Sequence, residues 1–420
     1  MLSINELLSQ VWVAAKPITE TESLPLESCN GRILAAPVIA PSHQPADPMS
    51  AMDGYAVRLA DILTPEGELK PSYGLVGQKG LSVSQRIAAG SNPPALLAET
   101  AARIFTGAVL PEGADTIVMQ EDVTTLDGQR ICLNRLPVSG QWVRAVGDDI
   151  KAGQVMLSAG TRLAAGHLGL LASMGVPRVS VFRKLRIGIL FTGDELRQLG
   201  EPLSRGQIYN SNRWMWRGLL DLPFIELHDL GRVRDNLEAT QKALRTLSHC
   251  DLVISSGGVS VGEEDHIKAA VMAEGGLTAW KVAMKPGKPL AVGHICRADG
   301  SVAQFLGLPG NPVSSYASFL LFVRPFLMAL AGVEASSIGD WRGRFSFRPA
   351  AFAWPAPDAK RVEFLRARLN DAGEVEIHPN QSSGALSSVA WAHGFVKIEP
   401  QCAVAKGMLV SYLPFTELLN

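Results

Sequence analysis

The chain has almost no net charge, few cysteines and no unbroken apolar run long enough for a membrane span. Its 39 basic and 40 acidic residues leave a formal charge of −1 over 420 residues. That balance argues against a general nucleic-acid binder, which usually carries a basic excess. It also argues against long disorder, which needs low hydrophobicity together with high net charge. The cysteines Cys29, Cys132, Cys250, Cys296 and Cys402 are scattered, with no C-x-x-C pair. Neither a disulfide framework nor a zinc site is expected from them. The histidines show no H-x-H or H-E-x-x-H spacing, and no G-x-G occurs, which removes the dinucleotide fingerprint. The most apolar stretch, Ser318 to Val333, is interrupted by Arg324 and Pro325 and is short for a bilayer. Residues Met1 to Gln10 lack a basic region and include Glu6, so no secretory signal is expected. A soluble, cytoplasmic protein is the expectation.

What the chain does contain is core material and punctuation. Apolar residues make up 47% of it, and 40 glycines and 26 prolines fall in short turns rather than in low-complexity tracts. Many tight loops between regular elements follow from this. Ile4, Leu7, Leu8 and Val11 predict an N-terminal helix that ends by Pro17. A short helical segment is expected at Leu26 to Leu34 and another helix around Ala165 to Met174. Between Asp47 and Gly147, short apolar runs such as Ala101 to Phe105 and Thr116 to Met119 predict a β-rich region.

From Val179 strands and helices alternate. Strands are predicted at Leu185 to Phe191, Phe224 to Leu230, Leu252 to Ile254, Ala279 to Met284, Leu290 to Gly293 and Phe305 to Leu308. Helices are predicted at Arg213 to Leu222, at Asn236 to Ser248, beyond Gly262 with Asp265 just inside it, and from Pro312 to Ala331. This alternation implies a parallel sheet covered on both faces. From Trp341 the helices disappear. Arg361 to Leu369, Glu374 to Ile377 and Phe395 to Ile398 then predict a small β-barrel or sandwich.

In an open α/β sheet, ligands bind beyond the carboxyl ends of the strands. That rule gathers Thr192-Gly193-Asp194-Glu195, Asp235, Ser255 to Asp265, Lys285-Pro286-Gly287-Lys288 and Pro309-Gly310-Asn311-Pro312 on one rim. Carboxylates, lysines and glycine-exposed N–H groups together suit a magnesium–phosphate substrate. Gly257 and Gly262 have P-loop spacing, but Glu263-Glu264 stand where Lys-Ser/Thr should be, so a Walker A reading fails. Ser256-Gly257-Gly258 remains either a glycine turn capping a buried strand or an anion loop. Lys281, Lys285 and Lys288 are either a solvated face or an oxyanion site, and the Pro286-Gly287 turn favours the second. Asn311 and Pro312 are fully explained as a helix start, and the dipole of that helix also favours an anion. Glu195, Asp235 and Asp265 are each ordinary alone and together a plausible magnesium shell. Asp53, Thr106 and Asp149 receive no catalytic role from the residues themselves.

Six ordered motifs resemble one family. They are Ser50-Ala51-Met52-Asp53-Gly54-Tyr55-Ala56, Thr106-Gly107-Ala108, Thr192-Gly193-Asp194-Glu195-Leu196, Ser255-Ser256-Gly257-Gly258-Val259-Ser260-Val261-Gly262, Lys285-Pro286-Gly287-Lys288-Pro289 and Leu308-Pro309-Gly310-Asn311-Pro312-Val313-Ser314. Each alone is weakly specific, but in this order they resemble the molybdopterin molybdenumtransferases, the MoeA family that includes the gephyrin E domain. The resemblance implies a multidomain α/β plus β protein. An elongated N-terminal domain would combine 1–46 with 148–179, around an inserted β-rich domain at 47–147. A central doubly wound α/β domain, molybdopterin adenylyltransferase-like, would span 180–333, with a C-terminal β-barrel at 334–420.

The implied reaction inserts molybdate into adenylylated molybdopterin with release of AMP and requires Mg2+. A homodimer is implied, with the active site between the α/β domain of one subunit and the β-rich domain of the other. A molybdopterin adenylyltransferase is a possible partner. By the same resemblance Asp53, Thr106, Asp149, Lys281 and Lys285 would be catalytic, and Glu195, Asp235 and Asp265 would hold the metal. Substrate would be bound by Ser256, Gly257, Gly258, Lys288, Pro309, Gly310, Asn311, Pro312, Arg361, Arg366 and Ser383. The chain departs from the family pattern at Ala46-Asp47-Pro48-Met49, at Asn210 where Asp is usual, at His266 for a common Tyr, and at Arg144-Ala145-Val146. The alternatives are a molybdopterin carrier or scaffold and an ATP-dependent molybdopterin adenylyltransferase.

Overall fold

The computed structural model describes residues 2–74, 79–257, 266–287, 289–334 and 341–419, without the side chains of 10–14, 279–281 and 289. The chain forms two compact units, Met1–Ala36 with Ser158–Gly169 and Pro177–Asn420, and Pro37–Leu157 with Leu170–Val176.

The larger unit is built on a six-stranded sheet. Its order is Ile225–Val233, Leu185–Thr192, Leu252–Ser256, Val302–Leu308, Pro289–Cys296, Gly275–Lys281. The first four are parallel to their neighbours. The last two turn back antiparallel, which corrects the expectation of a parallel sheet throughout. The reason is loop length. A parallel return needs a crossover of a dozen or more residues, and the segments 282–288 and 297–301 are too short for one.

Alternate residues of Leu185–Thr192 pack on opposite faces. Ile187, Ile189 and Phe191 join the large core with Trp216, Phe319 and Phe322. Leu190 joins Leu244, Leu247, Val253, Ile267 and Phe305 on the other. At Gly188 helix Leu237–Leu247 packs so closely that a Cβ would sit 2.9 Å from Leu247. Each buried Leu, Ile or Phe side chain contributes roughly 1.5–3 kcal/mol, so a strand that is apolar on both faces is held at the centre.

The flanking helices are Ser211–Leu220, Leu237–Leu247 and His266–Glu274. Asn210 and Asn236 cap two of them, accepting from Arg213 N–H at 3.2 Å and Ala239 N–H at 2.8 Å. A longer helix runs Pro312–Ser318, passes through a π-helical turn at Phe319–Val323, and continues as Arg324–Leu330. The short helices Leu386–Trp391 and Thr416–Leu419 that follow correct the expectation that helices end before Trp341. Pro325 has no N–H for the Leu321 carbonyl. The Trp341 indole donates to that carbonyl at 3.0 Å instead. By length and composition Pro312–Leu330 could cross a membrane, yet its most apolar window is 89% buried inside the fold.

At the N-terminus, helix Ile4–Ala14 opens on a capping box. Ser3 N–H donates to Glu6 Oε2 at 2.7 Å and Glu6 N–H to Ser3 Oγ at 3.2 Å. The helix expected at Leu26 to Leu34 is only the 3-10 turn Leu26–Ser28. Gly31, at φ +74, breaks it, and Ile33 and Leu34 form bridges to Arg162 and Val181. Strand Thr21–Pro25 pairs with Arg178–Phe182.

The strand expected at Ala279 to Met284 is split. Gly275–Lys281 stays in the central sheet, while Met284–Lys285 pairs in parallel with Val362 and Glu363 of the C-terminal region. There Val362–Leu369, Gly394–Ile398, Leu409–Pro414 and Ser346–Pro349 pair in sequence. Val375–Ile377 pairs with Val362–Leu369. Ala351 N–H donates to the Val375 carbonyl, and Ala350 bridges Val375. Hydrogen bonding therefore runs round a closed ring, a small barrel filled by Leu365, Ala367, Val396, Val410 and Tyr412.

The smaller unit is β-rich. Its sheet has the order Thr116–Met119, Gly54–Val57, Thr100–Ile104, Leu81–Ile87, Arg130–Leu133, Val123–Leu126. Val57, Tyr73, Leu81, Ala101 and Ile131 pack one face, and Ala56, Ile87, Ala102, Ile104 and Ile117 the other.

Candidate active site

A cleft of about 930 Å³ opens at the carboxyl ends of the parallel strands of the larger unit. Its lining includes Thr192, Glu195, Asn210, Asn212, Ser256, Gly257, Lys285, Pro309 to Pro312, Arg361 and Ser383. Loops that are far apart in sequence meet there because the strands they follow are parallel and in register.

The floor is set by backbone approach. Gly257 has φ +91, and a Cβ there would press to 3.3 Å on the Thr192 carbonyl. At Gly193, φ +142, a Cβ would overlap the Glu195 carboxylate, which folds back over that residue. Asn212, in the first turn of helix Ser211–Leu220, donates from Nδ2 to Ser256 Oγ and to the Gly310 carbonyl, both at 2.8 Å. One buried amide thus fixes two of the loops. Its Oδ1 is buried without a partner, as is Nδ2 of Asn210. Asn212 was not among the residues expected from the sequence, and only its helix position signals it.

Lys285 stands on one wall. Its Nζ lies 2.6 Å from Glu363 Oε1, whose side chain is 1% exposed. Glu363 Oε2 also accepts from Trp354 Nε1 at 2.7 Å and Asp358 N–H at 3.2 Å. Arg361 lines the cleft beside it and donates from Nε to Asp358 Oδ2 at 2.8 Å. That guanidinium, with neighbouring backbone N–H donors, holds the Asp358 carboxyl down at about 2.

Arg366 is placed differently from its expected role as a substrate contact. Its guanidinium is buried, bonded to Ser388 Oγ at 3.0 Å and the Ser382 carbonyl at 3.2 Å, and burial lowers it to about 10. It shapes the 381–384 loop rather than lining the cleft. That loop in turn caps a helix, because the Ser383 carbonyl accepts from Val313 N–H at 3.1 Å. Asn311 sits at the N-cap position before Pro312, but its side chain makes no capping bond. The expectation that capping fully explains Asn311 is therefore corrected, since Ser383 already takes a free donor of that helix end.

Among the carboxylates expected to hold a metal, Glu195 lines the cleft. Asp235 follows strand Ile225–Val233 and is not part of the lining. Asp265, Gly258 and Lys288 lie outside the described residues, as does the side chain of Lys281. A magnesium ion needs few protein carboxylates when substrate phosphates and water complete its shell. Glu195, with the unpartnered Asn212 Oδ1 in the same lining, fits such a site.

In the smaller unit Asp53 and Thr106 meet. Asp53 Oδ1 accepts from Thr106 N–H and Oγ1–H, both at 2.8 Å. These bonds, the backbone one first, hold the Asp53 carboxyl below its ordinary value. Asp149 lies in an exposed turn, its N–H donating to the Gln44 carbonyl at 3.0 Å.

Fold and cleft define a multidomain protein in which a carboxylate at the ends of the parallel strands of an α/β domain faces cations, Lys285 and Arg361, held against the C-terminal barrel. Comparison with protein families names the parts. Residues 2–175 match the MoeA N-terminal region (domain I and II). Residues 188–329 match the probable molybdopterin binding domain, and 349–415 the MoeA C-terminal region (domain IV). A molybdopterin molybdenumtransferase of Haemophilus influenzae is 37% identical over 428 residues, covering 100% of both chains. One from Nostoc sp. is 39% identical, over 94% of this chain and 89% of the other. Two structures of the Pyrococcus horikoshii molybdopterin biosynthesis protein superpose with TM-scores of 0.76 and 0.79, at 28% and 25% identity. They cover 99% and 98% of this chain and 99% of each of those. The chain belongs to the MoeA family.

Proposed function

We propose that the protein is a molybdopterin molybdenumtransferase that inserts molybdate into adenylylated molybdopterin and releases AMP. The observation that carries this reading is the cleft itself, where Lys285 and Arg361 face loops that leave buried donors and acceptors open. Lys285 has three N–H donors and commits one to Glu363, so the others can meet the oxygens of molybdate or phosphate. Arg361 adds fixed positive charge, oriented by Asp358. Asn212 and the Ser383 carbonyl hold Gly310, Ser256 and the Pro312 helix start in place, which keeps the pterin phosphate oriented without reorganisation.

Glu195 is the proposed magnesium ligand, with Asp265 contributing. Magnesium, when bound, offsets the charge of the phosphate being released. Asp53, Asp149, Lys281 and Lys288 take roles in the same reaction by family resemblance, and the Thr106 bonds keep Asp53 ionised. A cytoplasmic homodimer, with a molybdopterin adenylyltransferase as partner, completes the proposal.

The test is AMP release from adenylylated molybdopterin, with and without molybdate, at fixed magnesium. Release should rise with molybdate. Absence of release from folded protein that still binds the pterin would refute the reading in favour of a carrier. ATP-dependent adenylylation without molybdate would instead make it an adenylyltransferase.

A further inference from the structure

The larger unit carries a second group of donor atoms, in none of the residues that line the cleft. His228, His249 and Cys250 place ligand atoms within 4.8 Å of one another. Sequence spacing does not reveal this group, because His228 lies on strand Ile225–Val233 and His249-Cys250 follow helix Leu237–Leu247. The two imidazoles meet edge to face, with ring centroids 4.7 Å apart. His249 Nε2 is 3.7 Å from the Cys250 sulfur. Its other nitrogen, Nδ1, faces the Thr246 carbonyl at 2.9 Å. A proton held there leaves Nε2 as a lone pair turned to the thiol, the arrangement of a metal-ligating histidine. His228 Nε2 is buried and has no hydrogen-bond partner, although Glu226 Oε1 stands 3.0 Å away.

The frame is rigid. Arg297 donates to the Cys250 carbonyl at 2.6 Å and to the Ser248 carbonyl at 2.5 Å, and Cys250 N–H donates to the Leu247 carbonyl at 2.9 Å. His249 is exposed and Cys250 buried, so the cluster has an open side for entry and a fixed inner ligand.

We propose that His228, His249 and Cys250 bind one zinc-class divalent ion, with solvent completing its shell. Two imidazoles and a sulfur suit that class better than magnesium or calcium, which prefer oxygen. As the metal–sulfur bond forms, the Cys250 thiol gives up its proton to solvent.

The experiment titrates Co2+ and then Zn2+ into the full-length, chelator-treated, reduced protein. One Co2+ per chain should bind with a thiolate-to-cobalt charge-transfer band, and Zn2+ should displace it. Cys250→Ser should abolish the band, and His249→Gln should weaken binding by roughly 100-fold. Cys296→Ser, an exposed cysteine elsewhere, should change neither. Because His249 is exposed, its variant keeps the fold even if Cys250→Ser does not. No band in the parent protein, or unchanged affinity in His249→Gln, would overturn the proposal. Neither result bears on molybdate-dependent AMP release.

Discussion

Replacing Lys285 with glutamine separates two roles of one side chain. Lys285 neutralises Glu363, and it faces the cleft. Removing one partner of a fully buried pair costs about 3–5 kcal/mol. Here the lysine side chain is 46% exposed, and Glu363 keeps its bonds to Trp354 and Asp358. Solvent screening and those bonds reduce the expected loss to about 1–2 kcal/mol. Losing a charge-assisted donor to an oxyanion adds a binding penalty of about 1–2 kcal/mol, or roughly 5- to 30-fold in molybdate affinity. The double variant Lys285→Gln with Glu363→Gln relieves the unpaired carboxylate and should recover stability to within about 0.5 kcal/mol. It should not recover molybdate affinity. Denaturant unfolding gives the first quantity, and the molybdate dependence of AMP release gives the second. Restored molybdate dependence in the double variant would refute the assignment. Equal weakening of molybdate and pterin would move the lysine to the phosphate instead.

Asn212→Ala removes both bonds that join Ser256 to Gly310. It should cost about 1–3 kcal/mol of stability, the penalty of unsatisfied buried groups, and raise the KM for adenylylated molybdopterin. A stable variant with unchanged KM would show that the loops hold themselves. Asp229 tests acid sensitivity. Burial raises its carboxyl, but bonds from Arg213, Arg217 and the Gly231 N–H outweigh that and leave it lowered. A carboxyl lowered in the folded state gives stability that is present above its unfolded pKa, about 4, and lost as pH falls through its folded value. Asp229→Asn should therefore flatten the loss of stability below about pH 4, measured by unfolding at several pH values. An unchanged acid slope would remove Asp229 from that role.

Much of this molecule was legible because its signals are local. The N-terminal helix read from Ile4, Leu7, Leu8 and Val11, the apolar run Leu185–Phe191 and the helix start at Pro312 each lie within a few residues, where backbone preference and side-chain period act directly. The rule that ligands gather at the carboxyl ends of parallel strands then placed Glu195, Lys285 and Pro309 to Pro312 on one rim, and all of them line the cleft. Local signals misled where a tertiary partner competed. Met284 reads as the end of a central strand and Lys285 as the start of the loop after it, yet both pair with Val362 and Glu363, and the lysine's charge meets the Glu363 carboxylate.

By itself the sequence determined the alternation of strands and helices, the turns that end them and the charged loops that follow. The tertiary structure alone decided which side chains those loops use. Glu363 joins Lys285 across 78 residues, Asn212 joins Gly310 across 98, and Trp341 takes the carbonyl that Pro325 leaves open at Leu321. Such partners share no period and no spacing. They are chosen by the requirement that each buried donor, acceptor and charge find a complement within reach, and only the folded chain defines that reach.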